Sequence, residues 1–353
     1  MAQSMRVFLI RHGETVDNVA QLYAGSRDSA LTVHGYQQAT RLGQHFRTLD
    51  LAFTHLFSSH LQRAAKTAGL IRDAQLQPKS DAPFARLVPQ VRQLHILMEQ
   101  DFGDLEGKKW TEMQAELQSS KPAFVAVETK EAMGQRADTF LDEHLLPLLD
   151  KTTNGLHPVV AIVSHGIFLP TLWKRLLRRL PAQSISLSSD LQSTARPSLE
   201  HLGGWSNTGY LELHMTRDKA VESPFIADAV PSPTSKPDVS QPAKSGLDDT
   251  IGAVEVPRVS ATTHEVTGDS GASVITSNDA VEVREMTPAA SAPPTTPRTS
   301  GPHVARGWTT TILTINGKDH LRGLKRTGGG VGSSRHDASQ KGIESFFKRR
   351  KVD

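Results

Sequence analysis

Val7-Phe8-Leu9-Ile10-Arg11-His12-Gly13-Glu14-Thr15 passes from a short apolar run directly into a charged, glycine-containing segment. A run of that length suits a strand buried on both faces of a parallel sheet. Open α/β sheets bind their ligands just beyond the carboxyl ends of such strands. Gly13 permits a sharp turn that presents His12. A neutral imidazole can attack phosphorus, and the guanidinium of Arg11 can hold phosphoryl oxygens through fixed donors.

Two further segments end in the same way. His55-Leu56-Phe57-Ser58-Ser59 reads as a strand, and Arg63 falls at the start of the helix that carries Ala64, Ala65, Ala68 and Ile71. Val159-Val160-Ala161-Ile162-Val163 reads as a third buried strand, followed by Ser164-His165-Gly166 and a helix through Leu172, Leu176 and Leu177. A helix N-terminus favours an anion through its free N–H groups and its dipole. Two Arg and one His at strand ends, Arg11, Arg63 and His165, can therefore converge on one phosphate. Glu99, in the loop Leu97-Met98-Glu99-Gln100-Asp101-Phe102-Gly103, is the candidate proton donor. Partial desolvation beside apolar residues raises a carboxyl pKa and suits it to act as acid and then as base.

Thr32 is an expected N-cap for a helix through Gln37, Ala39, Leu42 and Phe46. An amphipathic segment runs from about Lys130 to Leu149. Tyr210–Met215 and Trp308–Ile315 alternate like half-buried strands, and Asn316-Gly317 is a turn signal. Strands alternating with helices imply an α/β three-layer sandwich, with a mostly parallel sheet flanked by helices. The domain is expected over residues 1–216, completed by an edge strand within 306–326 that pairs with Tyr210–Met215. Between them, residues 217–305 are rich in Pro, Ser and Thr and read as a long disordered insertion. Residues 327–353 read as a flexible basic tail.

Composition narrows the classes. The chain has 353 residues, 37% of them hydrophobic, and no cysteine. Disulfides, thiolate catalysis and Cys-ligated zinc are excluded, and a reducing compartment is expected. The 15 His are scattered without metal-ligand spacing, so no metal or other cofactor is expected. The start Met1-Ala2-Gln3-Ser4-Met5-Arg6 runs straight into a strand, so no signal peptide is expected. The apolar runs are strand-sized, so no membrane span is expected. The net charge of +3 is uneven: ten Lys/Arg against four Asp/Glu lie between Lys318 and Asp353, and the rest of the chain is slightly acidic. Direct nucleic-acid binding is not expected.

The strings RHGET (11–15), LTVHGYQQA (31–39), SSHLQRAAKTA (58–68), EQDFGDLEG (99–107), ETKEAM (128–133) and SHG (164–166) together resemble the histidine phosphatase superfamily, whose fold is shared with cofactor-dependent phosphoglycerate mutase. The resemblance implies a phosphohistidine on His12, a phosphate grip by Arg11, Arg63 and His165, and Glu99 as proton donor. Glu14, Asn18 and Gly166 fall where the family places further substrate-binding residues. EQDFGDLEG, with Trp308–Ile315 and Asp319-His320-Leu321-Arg322-Gly323-Leu324, looks like the branch of fructose-2,6-bisphosphatase-like regulators and suggests a sugar phosphate. In the mutases a Ser and a basic residue usually follow the second His-Gly. Here the next residues are Ile167-Phe168-Leu169-Pro170, which favours hydrolysis of a phosphomonoester over mutase-type phosphotransfer. A third reading is an inactive phosphatase-fold scaffold, against which the intact His12, Arg11, Arg63, Glu99 and His165 argue.

Gln340-Lys341-Gly342-Ile343-Glu344-Ser345-Phe346-Phe347 resembles the peptide by which proteins dock on the replication sliding clamp, proliferating cell nuclear antigen. One helical turn presents Ile343, Phe346 and Phe347 as a plug, and Gln340 makes polar contacts. Lys348-Arg349-Arg350-Lys351 reads as an import signal or a steering flank, so nuclear as well as cytoplasmic residence is expected.

Overall fold

Strand β1 (Gln3–Arg11) lies in the middle of a seven-stranded sheet and shows why the chain folds in layers. Successive side chains of a strand face opposite ways. Val7 and Leu9 enter one buried cluster, Phe8 and Ile10 the other. The computed structural model describes residues 3–77, 87–112, 125–152, 157–181, 183–193, 198–217, 303–328, 330–337 and 339.

The sheet order is β3-β2-β4-β1-β6-β7-β5. Its members are β2 (His55–Ser59), β3 (Val91–Leu94), β4 (Val159–Ser164), β5 (Ile185–Leu187), β6 (Tyr210–Arg217) and β7 (Thr309–Gly317). Only β6 runs against the others, pairing antiparallel with β1 and β7. Before the second layer comes a short helix, α1 (Val16–Ala20). Helices α2 (Val33–Thr48) and α3 (Gln62–Leu76) cover the face of Phe8 and Ile10. Helices α4 (Lys130–Phe140), α5 (Pro147–Asp150) and α6 (Phe168–Leu177) cover the face of Val7 and Leu9. This is the expected α/β three-layer sandwich.

Local chemistry accounts for the boundaries. Thr32 caps α2 as expected, its Oγ1 accepting from Gly35 N at 2.9 Å. The amphipathic segment from Lys130 is not one α-helix. A π-turn over Leu141–Leu145 separates α4 from α5, and Leu146 N donates five residues back to Leu141 O. Pro147 has no N–H to continue the ladder, which accounts for the interruption.

Strand β7 pairs with β6 as expected but is not the edge. Ile185–Leu187 pairs in parallel with Thr310–Ile312 and satisfies the outer backbone of β7. Nor is Asn316-Gly317 a turn. The strand continues through Gly317, and Asn316, at φ 49°, lies beside a register shift between β6 and β7.

The boundaries of the irregular parts also move. Most of 217–305 lies outside the described residues, as does the peptide 340–347. The end of that stretch is held: His303 N donates to Asp142, His303 O accepts from Arg179, and Ala305 is buried, while Val304 is exposed. The segment after Thr327 is held too. Arg335 bridges Thr32, His336 N donates to Leu31 O, and the His336 ring stacks on Tyr36 at 3.7 Å. Among the described residues no helix is long and apolar enough to cross a membrane.

Trp308 is 2% exposed and joins the cluster under β1 and β6. Trp308→Ala is expected to lower the unfolding free energy by about 3–5 kcal/mol. Urea titration of both proteins measures it. A loss close to zero would mean that 303–317 does not complete the core.

Candidate active site

Strands β1, β2 and β4 run in the same direction, so their carboxyl ends deliver Arg11, His12, Ser59, Ser164 and His165 to one edge of the sheet. The loop after β1 is pressed against the first turn of α2. A Cβ on Gly13 would lie 2.5 Å from Gly35 O, and one on Gly35 would lie 2.0 Å from Glu14 O. Only two glycines allow this approach.

His12 is 3% exposed, and its backbone N donates to Ser164 O at 3.0 Å. Its Nδ1 lies 2.7 Å from Gly13 O. A carbonyl only accepts, so Nδ1 carries the proton and Nε2 keeps its lone pair. Burial, with Arg63 and Arg11 nearby, pushes the His12 pKa well below the usual imidazole value. His12 is therefore neutral at ordinary pH.

His165 lies beside it, with ring centroids 5.1 Å apart. Its Nδ1 accepts from Arg63 Nε at 3.2 Å, which places its proton on Nε2. That Nε2 is buried without a hydrogen-bond partner among the described residues. Burial and then Arg63 push the His165 pKa well down as well.

The two arginines play unequal parts. Arg63 is 1% exposed and donates to Arg27 O, Ala24 O and Gly25 O as well as to His165. Four of its five N–H groups are committed. Arg11 gives one bond, from Nη1 to Trp205 O at 2.5 Å, and its Nε is buried without a partner among the described residues. Gly166 makes room for it, since a Cβ there would sit 3.2 Å from Arg11 Nε. Arg11 thus offers most of the free donors.

Glu99 is buried. Its carboxylate accepts from Ile167 N at 3.0 Å, Phe168 N at 2.9 Å and Gln100 N at 3.0 Å. The N-terminus of α6, expected to serve an anion from outside, is occupied by this side chain. That of α3 is likewise engaged, Gln62 N donating to Asp28. Burial raises the Glu99 pKa, and the three N–H donors and Arg63 offset part of the rise.

Two further expected residues have partners within the chain. Both carboxylate oxygens of Glu14 bind Arg326, and Oε1 also accepts from Thr32 Oγ1 at 2.8 Å. Asn18 forms a capping box with Thr15, and its Oδ1 accepts from Asn207 Nδ2 at 3.2 Å. Among the described residues no cluster of His, Asp and Glu is placed to hold a metal ion.

Other supports were not read from the sequence. Arg136 pairs with Glu128 and donates to Ile96 O and Met98 O, which fixes the loop bearing Glu99. Glu128 and Arg136 lie eight residues apart beside and on α4; Glu128 opens the string ETKEAM, and nothing in the sequence marks Arg136. The loop 205–208 supports Arg11 and His12 with no local pattern to announce it. Trp205 O accepts from Arg11, Asn207 Nδ2 donates to His12 O, and Thr208 N donates to both Arg11 O and His12 O. Thr208 Oγ1 donates to Asn207 O and accepts from His320 Nε2 at 2.9 Å.

A family model described as the histidine phosphatase superfamily (branch 1) matches residues 7–201. The chain belongs to this superfamily. The probable phosphoglycerate mutase GpmB of Erwinia tasmaniensis is 34% identical over 200 residues, covering 52% of this chain and 83% of that protein. A probable phosphatase of Schizosaccharomyces pombe is 34% identical over 177 residues, 48% of this chain and 56% of that protein. Among solved structures, a mycobacterial glucosyl-3-phosphoglycerate phosphatase is 22% identical, with a TM-score of 0.44 over 60% of this chain and 91% of that one. The superfamily thus has both phosphatase and mutase-like relatives of this chain.

His320 is 7% exposed, and burial, with His45 beside it, pushes its pKa down to about 4 from 6.5. The unfolded chain takes up this proton as pH falls below 6.5, while the folded chain resists until about 4. Stability attached to His320 is therefore full at neutral pH and is lost across that window. His320→Gln is expected to abolish about 3 kcal/mol of the wild-type stability loss between pH 7 and pH 4. Urea unfolding at several pH values reads the difference. Parallel curves would mean that His320 is not held neutral.

Proposed function

We propose that the protein hydrolyses phosphate monoesters through a phosphohistidine on His12. The observation that carries this reading is the buried, neutral His12, its Nδ1 fixed by Gly13 O and its Nε2 unprotonated, beside the free donors of Arg11 and His165. In the first half, Nε2 attacks phosphorus and the P–O ester bond breaks. The leaving alkoxide takes the proton of Glu99, whose raised pKa favours the acid form. In the second half, the Glu99 carboxylate takes a proton from water, the hydroxide attacks phosphorus, the P–N bond breaks and inorganic phosphate leaves. Charge developing on the phosphoryl oxygens is met by Arg11, Arg63 and His165, so the chemistry does not call for a metal.

Hydrolysis is favoured over mutase-type transfer by the residues after His165-Gly166. Ile167 is 41% exposed, and Phe168 and Leu169 are buried. None of them offers a polar side chain to retain a doubly anionic intermediate while it reorients. A sugar phosphate, as in the fructose-2,6-bisphosphatase-like regulators, is one substrate class within this reading.

The test is phosphate release from p-nitrophenyl phosphate and from phosphoglycerates. Wild type is expected to release inorganic phosphate, unaffected by a chelator, and His12→Ala to lose at least about a thousandfold in kcat. The pH profile of kcat/KM is expected to be a bell. His12 must be neutral, so its depressed pKa sets the acidic limb below pH 6.5. Glu99 must be protonated, so its raised pKa places the alkaline limb above pH 4.5. An isomerised product without phosphate release would favour the mutase, and no turnover at all would favour the scaffold.

A separate proposal concerns the tail: residues 340–347 dock on the replication sliding clamp in the nucleus, supported by the pattern Gln340, Ile343, Phe346, Phe347 and the basic run after it. Replacing both Phe346 and Phe347 by Ala is expected to abolish clamp binding in calorimetry while phosphate release is retained. Equal binding by both proteins would sink this proposal.

A further inference from the structure

A cleft of 510 Å³ lies between the first turn of α4 and the outer side of α6. It begins at Gly166 and Ile167. Gly166 is the residue against which the Arg11 guanidinium rests, and Ile167 N donates to the Glu99 carboxylate. The cleft therefore begins beside the residues that pack on Arg11 and cap with Glu99.

Its lining changes along α6. Ile167 and Pro170, with Met133 from α4, supply the apolar surface nearest Gly166, beside Gln100 and Thr171, and Lys174 and Arg178 follow toward the C-terminus of α6; Lys130 and Glu131 line it from α4, so cations outnumber the one carboxylate. Residues four apart lie on one side of a helix, so Pro170, Lys174 and Arg178 form a single stripe. Arg175, by contrast, is paired with Asp138, and its charge is met. Among the described residues, neither Lys174 nor Arg178 forms an ion pair. Cations near a helix C-terminus complement its dipole, which accounts for their sign but not for their position on a cleft that ends at Gly166.

We propose that this cleft receives the leaving group of the substrate, and that Lys174 and Arg178 hold a second anionic group at its far end. This rests on the reading of His12 as the centre of a phosphomonoesterase. At a rise of 1.5 Å per residue, Lys174 lies about 10 Å and Arg178 about 16 Å along the axis from Ile167. The substrate class is a phosphate monoester with an apolar stem long enough to cross that distance and an acidic group at its end. A three-carbon phosphoglycerate is too short to engage both ends.

Calorimetry on His12→Ala, which cannot turn substrate over, separates binding from chemistry. The probes are octyl phosphate and the bisphosphate of octanediol. The bisphosphate is expected to bind about tenfold more tightly, the gain that one or two partly solvated ion pairs provide. Adding Lys174→Glu with Arg178→Glu is expected to erase that preference while the affinity for octyl phosphate is kept. Equal affinity for the two probes, or a preference that survives charge reversal, would overturn the proposal. Wild type inert toward p-nitrophenyl phosphate would instead overturn the hydrolase reading, and the two-probe comparison would still decide whether the cleft binds a remote anion.

Discussion

Arg63 is a guanidinium enclosed at 1% exposure whose hydrogen-bond partners are carbonyl oxygens and an imidazole. Withdrawing a charge from water costs several kcal/mol unless dipoles or counter-charges replace the solvent. The dipoles here are the carbonyls of Ala24, Gly25 and Arg27. They can face Arg63 because the opposite side of that loop is held by Glu106, which accepts from Gly25 N at 3.0 Å and Ser26 N at 2.8 Å. The carboxylates near Arg63 act only at longer range. Its charge is solvated but not cancelled, and the positive field persists at the sheet edge.

That field and the dryness of the pocket set the state of the two imidazoles. Both are neutral, and each has one nitrogen assigned by its neighbour: Nδ1 of His12 to Gly13 O, Nδ1 of His165 to Arg63. The consequence is opposite polarity. His12 presents a lone pair, and His165 presents a proton. Glu99 is held by the same means, because its carboxylate caps α6 and so fixes its own side chain and the start of that helix with one set of bonds. A protonated Glu99 still accepts through one oxygen, so giving up its proton strengthens the cap.

Much of this was legible in the sequence, for a definite reason. β1 and β4 are buried on both faces, so their apolar runs, Val7–Ile10 and Val159–Val163, are unbroken, and the residues following such runs must emerge at one edge. Arg11, His12 and His165 could be placed by that rule, and Arg63 by the strand-to-helix junction after the shorter Leu56-Phe57. The Val-Arg-Gln-Leu of β3 and the Ile-Ser-Leu of β5 are short and half exposed, and they carry no period long enough to read. Glu14 and Asn18 were named from the resemblance, and their partners in the structure, Arg326 and Asn207, lie far along the chain. Thr208 escaped notice for the same reason. It takes a left-handed backbone, φ 56°, with no glycine to mark it, and its constraint comes from β1 on one side and His320 on the other.

The long connection between β6 and β7 can then be weighed on physical grounds. The two strands are neighbours, so residues 218–308 join points that are close in space. Closing a loop costs entropy that grows only with the logarithm of its length, about 0.6 kcal/mol per doubling. Such a connection can lengthen cheaply, provided that the chain returns. The return does more than close the sheet. Asn316 Oδ1 accepts from Ser206 N, His320 holds Thr208, Arg326 holds Glu14, and His336 stacks on Tyr36. The first two fix the loop that donates to the carbonyls of Arg11 and His12, and the third fixes the residue two after His12. The residues proposed for the site are complete by residue 165, but contacts that hold the loop behind His12 come from more than a hundred residues later.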